Sequence, residues 1–252
     1  MSNTAQLYEI FNSIQGEGLY VGERQIFVRF AGCNLSCQYC DTVQSQSLVP
    51  EFKVEQTPGK HDIKTFPNPA TTEQLLEIIE GFNKNKGINH SISLTGGEPL
   101  LQVEFLKEFL PTLKKSVSLP LYLETNGTLP DHLSEVIELV DIIAFDIKLP
   151  SATGLSPYWK EHKKALETAA LQNVFVKIVF SRETPAKEID DAVTLIADIS
   201  VDIPLVLQPV MPHGPIKHRP QPEQILAAQA IAKRKLKTVK VIPQVHKLFG
   251  AL

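Results

Sequence analysis

The chain holds three cysteines, at positions 33, 37 and 40. They stand in the run Gly32-Cys33-Asn34-Leu35-Ser36-Cys37-Gln38-Tyr39-Cys40-Asp41-Thr42, a C-x3-C-x2-C pattern. Three thiolates on one short loop can ligate three irons of a [4Fe–4S] cube, leaving the fourth iron open to a substrate or cofactor. An electron-transfer ferredoxin would want a fourth cysteine, and this sequence has none. A structural zinc site also wants a fourth ligand; His61 or Asp41 could serve, although neither has a usual spacing. Chance clustering of three buried cysteines is a further reading, and so tight a group after an apolar strand argues against it. An odd, clustered set makes a poor disulfide framework and a good metal framework in a reducing compartment.

The elements that must carry this loop show as apolar runs. Strands are expected at Gln25–Phe30, Ser91–Thr95, Leu119–Glu124, Ile142–Lys148, Val174–Phe180, Pro204–Gln208 and Thr238–Ile242. Most are continuous apolar runs, the pattern of parallel strands buried on both faces. Helices are expected between them, at Thr72–Lys84, Val103–Lys115, Asp131–Val140, Tyr158–Leu171, Ala186–Asp198 and Pro222–Lys235. Thr71 and Gln74 stand at capping-box spacing before the first. Thr184 can cap the fifth, with Pro185 in its first turn, and Pro222 suits the first turn of the last. Such alternation builds right-handed βαβ units and predicts a partial or modified (β/α) barrel of about six parallel strands in a single domain, residues 1–252. The stretch from 43 to 70 lacks periodicity, carries four prolines and reads as an insertion beside the cysteine loop, a flexible lid.

Barrels of this kind work at the C-terminal ends of their strands. The unusual polar residues fall there: the cysteines after the first strand, Thr95-Gly96-Gly97-Glu98-Pro99 after the second, Glu124-Thr125-Asn126-Gly127 after the third, Asp146-Ile147-Lys148 at the fourth, and Gln208-Pro209 after a later one.

The cysteine loop, with an aromatic residue (Tyr39) before its third cysteine, resembles the signature of the radical S-adenosylmethionine (SAM) superfamily. Thr95-Gly96-Gly97-Glu98-Pro99 resembles that superfamily's methionine-binding segment. Its glycines would let a ligand ammonium approach the backbone, and Glu98 would add negative charge. The likeness implies a [4Fe–4S] cluster on Cys33, Cys37 and Cys40. It also implies SAM contacts from Tyr39, Cys40, Asp41, Gly97, Glu98, Asp146, Ile147, Lys148, Gln208, Pro209, Val210 and Met211. Asp146 and Lys148 would meet ribose or carboxylate; Gln208 and Met211 would border the adenine.

A finer likeness begins at Glu9-Ile10-Phe11-Asn12-Ser13-Ile14-Gln15-Gly16-Glu17-Gly18 and runs through Phe27-Val28-Arg29-Phe30-Ala31-Gly32-Cys33 to Cys40-Asp41-Thr42. It returns at Thr95, Glu124, Gln208 and Gln244-Val245-His246-Lys247-Leu248. This is similar to the 7-carboxy-7-deazaguanine synthase family of queuosine and deazapurine biosynthesis. The resemblance implies conversion of 6-carboxy-5,6,7,8-tetrahydropterin to 7-carboxy-7-deazaguanine with ring contraction and loss of ammonia, and SAM regenerated at the end. It assigns substrate binding to Ile14, Gln15, Gly16, Glu17, Arg29, Thr95 and the terminal carboxylate of Leu252, and Mg²⁺ to Thr42. Arg29 would grip the substrate carboxylate with its planar fork, and Glu17 would accept from the pterin's amino and ring N–H groups. A homodimer and an electron donor such as a flavodoxin are implied as well. The longer insertion and Tyr39, where many relatives have tryptophan, depart from the family pattern.

Bulk properties agree. Apolar residues make up 43% of 252, and net charge is −3, so nothing points to nucleic acid as a partner. The start MSNTAQLYEIF has no signal-peptide pattern and no apolar run approaches a membrane span, so a cytoplasmic location without a membrane partner is expected. Two rival readings remain: a radical SAM activase that makes a glycyl radical on a partner protein, and a zinc-stabilised binding module without catalysis.

Overall fold

A computed structural model describes residues 3–246. In chain order the elements are β1 (Thr4–Ala5), β2 (Leu7–Ile14), β3 (Arg24–Phe30), β4 (Glu51–Glu55), β5 (Ile63–Pro67), β6 (Ala70–Thr71), α1 (Thr72–Phe82), β7 (Ser91–Gly96), α2 (Val103–Ser116), β8 (Leu121–Thr125), α3 (Pro130–Val136), β9 (Ile142–Ile147), α4 (Pro150–Thr153), α5 (Trp159–Ala169), β10 (Asn173–Phe180), α6 (Ala186–Ile199), β11 (Leu205–Pro209), α7 (Pro222–Lys233) and β12 (Val239–Val241). All seven expected strands and all six expected helices form, with ends shifted by a few residues.

Ten strands make one sheet in the order β12-β11-β10-β9-β8-β7-β3-β2-β4-β5. The seven from β3 through β12 run parallel, where about six were expected. The sheet ends at β12 and β5, so hydrogen bonds do not close it. It nevertheless curls. Lys177 on β10 forms an ion pair with Glu17, just beyond β2, although five strand spacings of about 4.8 Å separate those strands along the sheet. A flat sheet would hold them roughly 24 Å apart, beyond any side chain's reach. The partial (β/α) barrel is therefore present.

Period-two alternation sorts each strand between two cores. On β9, Ile143, Phe145 and Ile147 join the large core beneath the helices. Ile142 and Ala144 face inward, where they meet Tyr122, Phe175 and Val206 in a small apolar floor. Two residues further along the same inner face come Glu124, Asp146, Lys177 and Gln208. The barrel interior is thus apolar at the strand starts and polar at their C-terminal ends.

Several expectations need correction. Strand β2 was not foreseen, because Glu9, Asn12 and Ser13 interrupt its apolar pattern; it pairs antiparallel with β3 through an irregularity between Leu7 and Glu9. The 43–70 stretch is no irregular lid. Val43–Gln46 forms a 3-10 turn, and β4 and β5 form a hairpin that extends the sheet beyond β2. Phe52 and Val54 on β4 are buried, and this hydrophobic anchoring holds the segment. Thr71 does cap α1, accepting from the Gln74 N–H at 3.2 Å. Thr184 does not cap α6: Pro185 takes the cap position, and the Thr184 hydroxyl instead accepts from the Ser181 N–H at 3.0 Å. No helix among the described residues is long and apolar enough to cross a membrane.

Candidate functional site

A cavity of about 520 Å³ opens at the C-terminal end of the barrel. All three cysteines line it, together with Gly97, Glu98, Asp146, Lys148, Gln208 and Val210 on the expected cofactor side, and Ile14 through Glu17, Arg29 and Thr95 on the expected substrate side.

The cysteine loop is held by backbone contacts. Gly32 N–H donates to Ser45 O at 2.8 Å and Cys33 N–H to Gln46 O at 3.1 Å. The start of the 43–70 segment therefore clamps the loop. Gln38 N–H donates to Thr153 O at 3.0 Å, fixing the middle of the loop against α4. From the other side, Gly97 N–H donates to Phe30 O at 3.1 Å and Glu98 N–H to Gly32 O at 2.9 Å. A Cβ on Gly97 would lie 2.0 Å from the Gly32 oxygen. Glycine is required there because two backbones touch. Burial pushes the Cys33 thiol up to about 11, and burial also raises Cys37. Such thiols give up their protons to a bound metal centre rather than to solvent.

The donor set fits an iron–sulfur cube. His61, one proposed fourth zinc ligand, sits in the β4–β5 turn and does not line the cavity. The other, Asp41, is engaged by Gln244 Nε2 at 3.0 Å. Three buried polar atoms on cavity residues lack a partner among the described residues: Tyr39 OH, Asp146 Oδ1 and Gln208 Oε1. Buried polar atoms are normally satisfied, so a polar ligand spanning the first, fourth and sixth parallel strands fits here, as SAM would.

Some side chains take duties other than those expected. The Glu98 carboxylate, 1% exposed, accepts from Leu100 N–H and Thr125 Oγ1 on one oxygen and from Asn126 N–H on the other, at 3.1, 3.0 and 2.7 Å. It ties the β7 and β8 loops together, and burial raises its pKa to about 7 despite those donors. Gln15 is equally committed. Its amide donates to Gln25 Oε1 and Glu124 Oε1, both at 3.0 Å, and accepts from Glu17 N–H at 3.0 Å. Its own N–H and carbonyl bond to Glu23 and Gly22, so Gln15 shapes the pocket rather than offering free groups to it. Ile147 packs in the helical-side core, and Pro209 and Met211 do not line the cavity; a contact from these three would be through backbone or a different loop position. Leu252 and the Lys247-Leu248 part of the C-terminal motif lie outside the described residues.

Arg29 keeps the geometry of an anion grip. Its Nε donates to Glu9 Oε1 at 2.8 Å and its guanidinium lies over the Phe11 ring, 5.7 Å from the centroid. Anchoring at Nε and on the ring orients the planar fork and leaves the two terminal nitrogens for a carboxylate. Thr95 Oγ1 donates to Glu124 Oε2 at 2.9 Å. Thr42 lines the cavity, its hydroxyl 3.8 Å from Cys40 Sγ. Beside it, donor atoms of Glu17, Asp41 and His246 lie within 4.8 Å of one another, an oxygen-rich corner suited to a hard cation such as Mg²⁺.

Further contacts complete the site, and of the charged groups that make them only Lys177 was not singled out from sequence. Lys177 pairs with Glu17 and stands 3.5 Å from Asp146 Oδ2. Lys148 pairs with the same Asp146 oxygen at 2.7 Å and lies over the Tyr39 ring. Glu124 buttresses Gln15 and Thr95. Gln244 donates to Glu17 Oε1 at 2.7 Å, and Val245 N–H reaches Gly16 O at 2.9 Å. A Cβ on Gly16 would meet His246 at 2.4 Å, so glycine at 16 lets the C-terminal segment close the pocket wall. A lysine in the middle of the apolar run Val174–Phe180 was the available signal for Lys177.

Comparison with known proteins agrees with this geometry. The profile of the radical SAM superfamily matches residues 27–196. The chain is 44% identical over 249 residues to a 7-carboxy-7-deazaguanine synthase of Geobacter sulfurreducens, covering 98% of each chain. It is 34% identical to one from Methanopyrus kandleri, covering 96% of this chain and 92% of that one. The crystal structure of QueE from Escherichia coli superposes with a TM-score of 0.58 at 19% identity, covering 94% and 93% of the two chains. Streptococcus suis SuiB bound to S-adenosylmethionine shares the fold at a TM-score of 0.55 and 13% identity, over 85% and 51% of the chains. Cysteine loop, barrel and full-length similarity converge: the chain belongs to the 7-carboxy-7-deazaguanine synthase family of the radical SAM superfamily.

Proposed function

We propose that this enzyme converts 6-carboxy-5,6,7,8-tetrahydropterin to 7-carboxy-7-deazaguanine with loss of ammonia. The observation that carries the reading is one cavity that joins the three-cysteine loop to an anchored arginine and a half-buried, lysine-paired carboxylate. Cys33, Cys37 and Cys40 would hold the [4Fe–4S] cluster. Tyr39, Asp146 and Gln208 would hold SAM through the buried oxygens that lack a partner among the described residues, with Lys148 beside them as a donor. The bound cluster and SAM supply the one-electron chemistry.

The chain's own residues bind and orient the substrate. Arg29 receives the C6 carboxylate on its free nitrogens. Glu17 accepts from the amino and ring N–H groups at the pterin's far edge. Burial alone would raise the Glu17 carboxyl, but Lys177 and Gln244 hold it below its usual value, so it stays an acceptor. Thr95, turned by Glu124, presents its hydroxyl oxygen to the ring between them. Thr42 would provide a hard hydroxyl ligand for Mg²⁺ beside the substrate carboxylate. The walls exclude water from the reacting carbon. A flavodoxin-type donor, a homodimer and a cytoplasmic setting belong to the same reading.

Equilibrium binding tests it against both rivals. Anaerobically reconstituted protein should carry iron and bind the carboxypterin with SAM and Mg²⁺ present. Zinc without iron would turn the reading to a structural metal module. A cluster and bound SAM with no affinity for carboxypterin would favour an activase.

A further inference from the structure

We propose that Lys177 is a positioning residue that couples the pterin end of the cavity to its SAM end, so that each ligand strengthens binding of the other; this rests on the function proposed above. Lys177 sits on the inner face of β10, in register with Asp146 on β9, and its side chain is 12% exposed. An ammonium has three donors. One goes to Glu17 Oε2, and the charge lies 3.5 Å from Asp146 Oδ2. Glu17 belongs to the loop after β2, on the substrate side. Asp146 lies near the end of a strand on the cofactor side, and its second oxygen, Oδ1, is buried and without a partner among the described residues. One side chain thus bridges the carboxylates that face the two ligands.

The bridge is charged. Burial alone would lower the lysine, but Asp146, Glu17 and Glu124 raise it well above its usual value. Lys148 also holds this Asp146 oxygen, at 2.7 Å, so a ligand on Oδ1 fixes the whole carboxylate. Fixing Asp146 fixes Lys177, and Lys177 fixes Glu17. Likewise a pterin on Glu17 orders the chain of contacts toward Asp146. The second ligand then meets a site already ordered, which is positive coupling through restricted motion. Reciprocity requires the same factor in both directions.

The test is calorimetric titration of the reconstituted holoenzyme with SAM, with and without saturating 6-carboxytetrahydropterin, and the reverse. Wild-type protein should bind SAM about tenfold more tightly with pterin present, a factor within the usual range for coupled sites. In Lys177→Met the ratio should fall to about one, and in Lys177→Arg, which keeps the cation, most of it should remain. Lys177→Met leaves Glu17 without its cation and risks misfolding. The double variant Glu17→Gln with Lys177→Met removes that lone charge, and it too should show a ratio near one. A ratio of one in wild type, or a wild-type ratio surviving in either Met background, overturns the proposal. Both ligands binding without coupling leaves the functional reading standing, whereas no pterin binding at all removes that reading instead.

Discussion

Replacing Gly97 by alanine probes the contact that sets the cysteine loop. The added Cβ would lie 2.0 Å from Gly32 O, 2.5 Å from Gly32 C and 2.9 Å from Ser45 O, all backbone atoms. To restore even 3.0 Å the Gly32 carbonyl must retreat by about 1 Å, because real Cβ contacts essentially never fall below that distance. The Glu98 N–H to Gly32 O bond, 2.9 Å long, stretches out of range as it does so. Overpacking of this kind costs about 1–3 kcal/mol, and a lost buried hydrogen bond adds about 1 kcal/mol. At about 2–4 °C per kcal/mol for a chain of this size, Tm should fall by roughly 4–15 °C. Cys33, one residue past Gly32, moves with it, so iron content after reconstitution should fall as well. Anaerobic calorimetry with iron analysis measures both. Gly81→Ala is the control: nothing lies within 4 Å of its Cβ, and in a helix alanine should be neutral or stabilise by up to about 1 kcal/mol. Unchanged Tm and full iron loading in Gly97→Ala would refute the close-packing argument.

Two further perturbations test the site. Arg29→Ala should weaken carboxypterin binding by about 30-fold or more, the cost of losing a buried charge partner, while SAM affinity stays put; Arg29→Lys should not rescue it, since a point charge lacks the fork and the Glu9 anchor, and unchanged pterin affinity in either variant would reject the assignment. On α5, His162 supports the cavity wall, its Nε2 3.2 Å from the carbonyl oxygen of the lining residue Asn126, and burial, at 0% exposed, holds it down to about 4. A depressed histidine contributes stability that is present above pH 6.5 and lost as pH falls toward 4, about 3 kcal/mol in all. Urea midpoints should therefore show the advantage of wild type over His162→Gln shrinking across that window, and a constant difference would contradict it. Glu98, raised by burial to about 7, titrates with the opposite sign, its contribution falling as pH rises from about 4.5 to 7, so the variant comparison is more informative than the wild-type curve alone.

Much of the barrel was legible because its strands are buried on both faces and read as unbroken apolar runs between helical periods. What was missed was missed for physical reasons. Strand β2 pairs antiparallel and carries Glu9 and Asn12, which accept from Arg29 and Arg24, as well as Ser13, so its pattern is neither alternating nor continuous. The β4–β5 hairpin buries Phe52 and Val54 but exposes all of β5 except Phe66, a periodicity too faint among prolines. At the site, the C-x3-C-x2-C spacing announced the cysteine loop, and Arg29 at the end of the first parallel strand lines the same cavity. Burial decided the rest. Gln15 and Glu98 looked like ligand groups, yet neighbouring donors and acceptors already engage them, a fact that only three-dimensional contacts reveal. Lys177 was visible as a charge within an apolar strand, but its partners lie 160 and 31 residues away along the chain.

The most direct test of the account is turnover. The protein is reconstituted anaerobically with iron and sulfide, supplied with a reductant, SAM, Mg²⁺ and 6-carboxy-5,6,7,8-tetrahydropterin, and its products are followed by mass spectrometry. The account predicts 7-carboxy-7-deazaguanine, absent from Cys37→Ala, with SAM not consumed in proportion. Cleavage of SAM to 5′-deoxyadenosine with the carboxypterin left intact would contradict it.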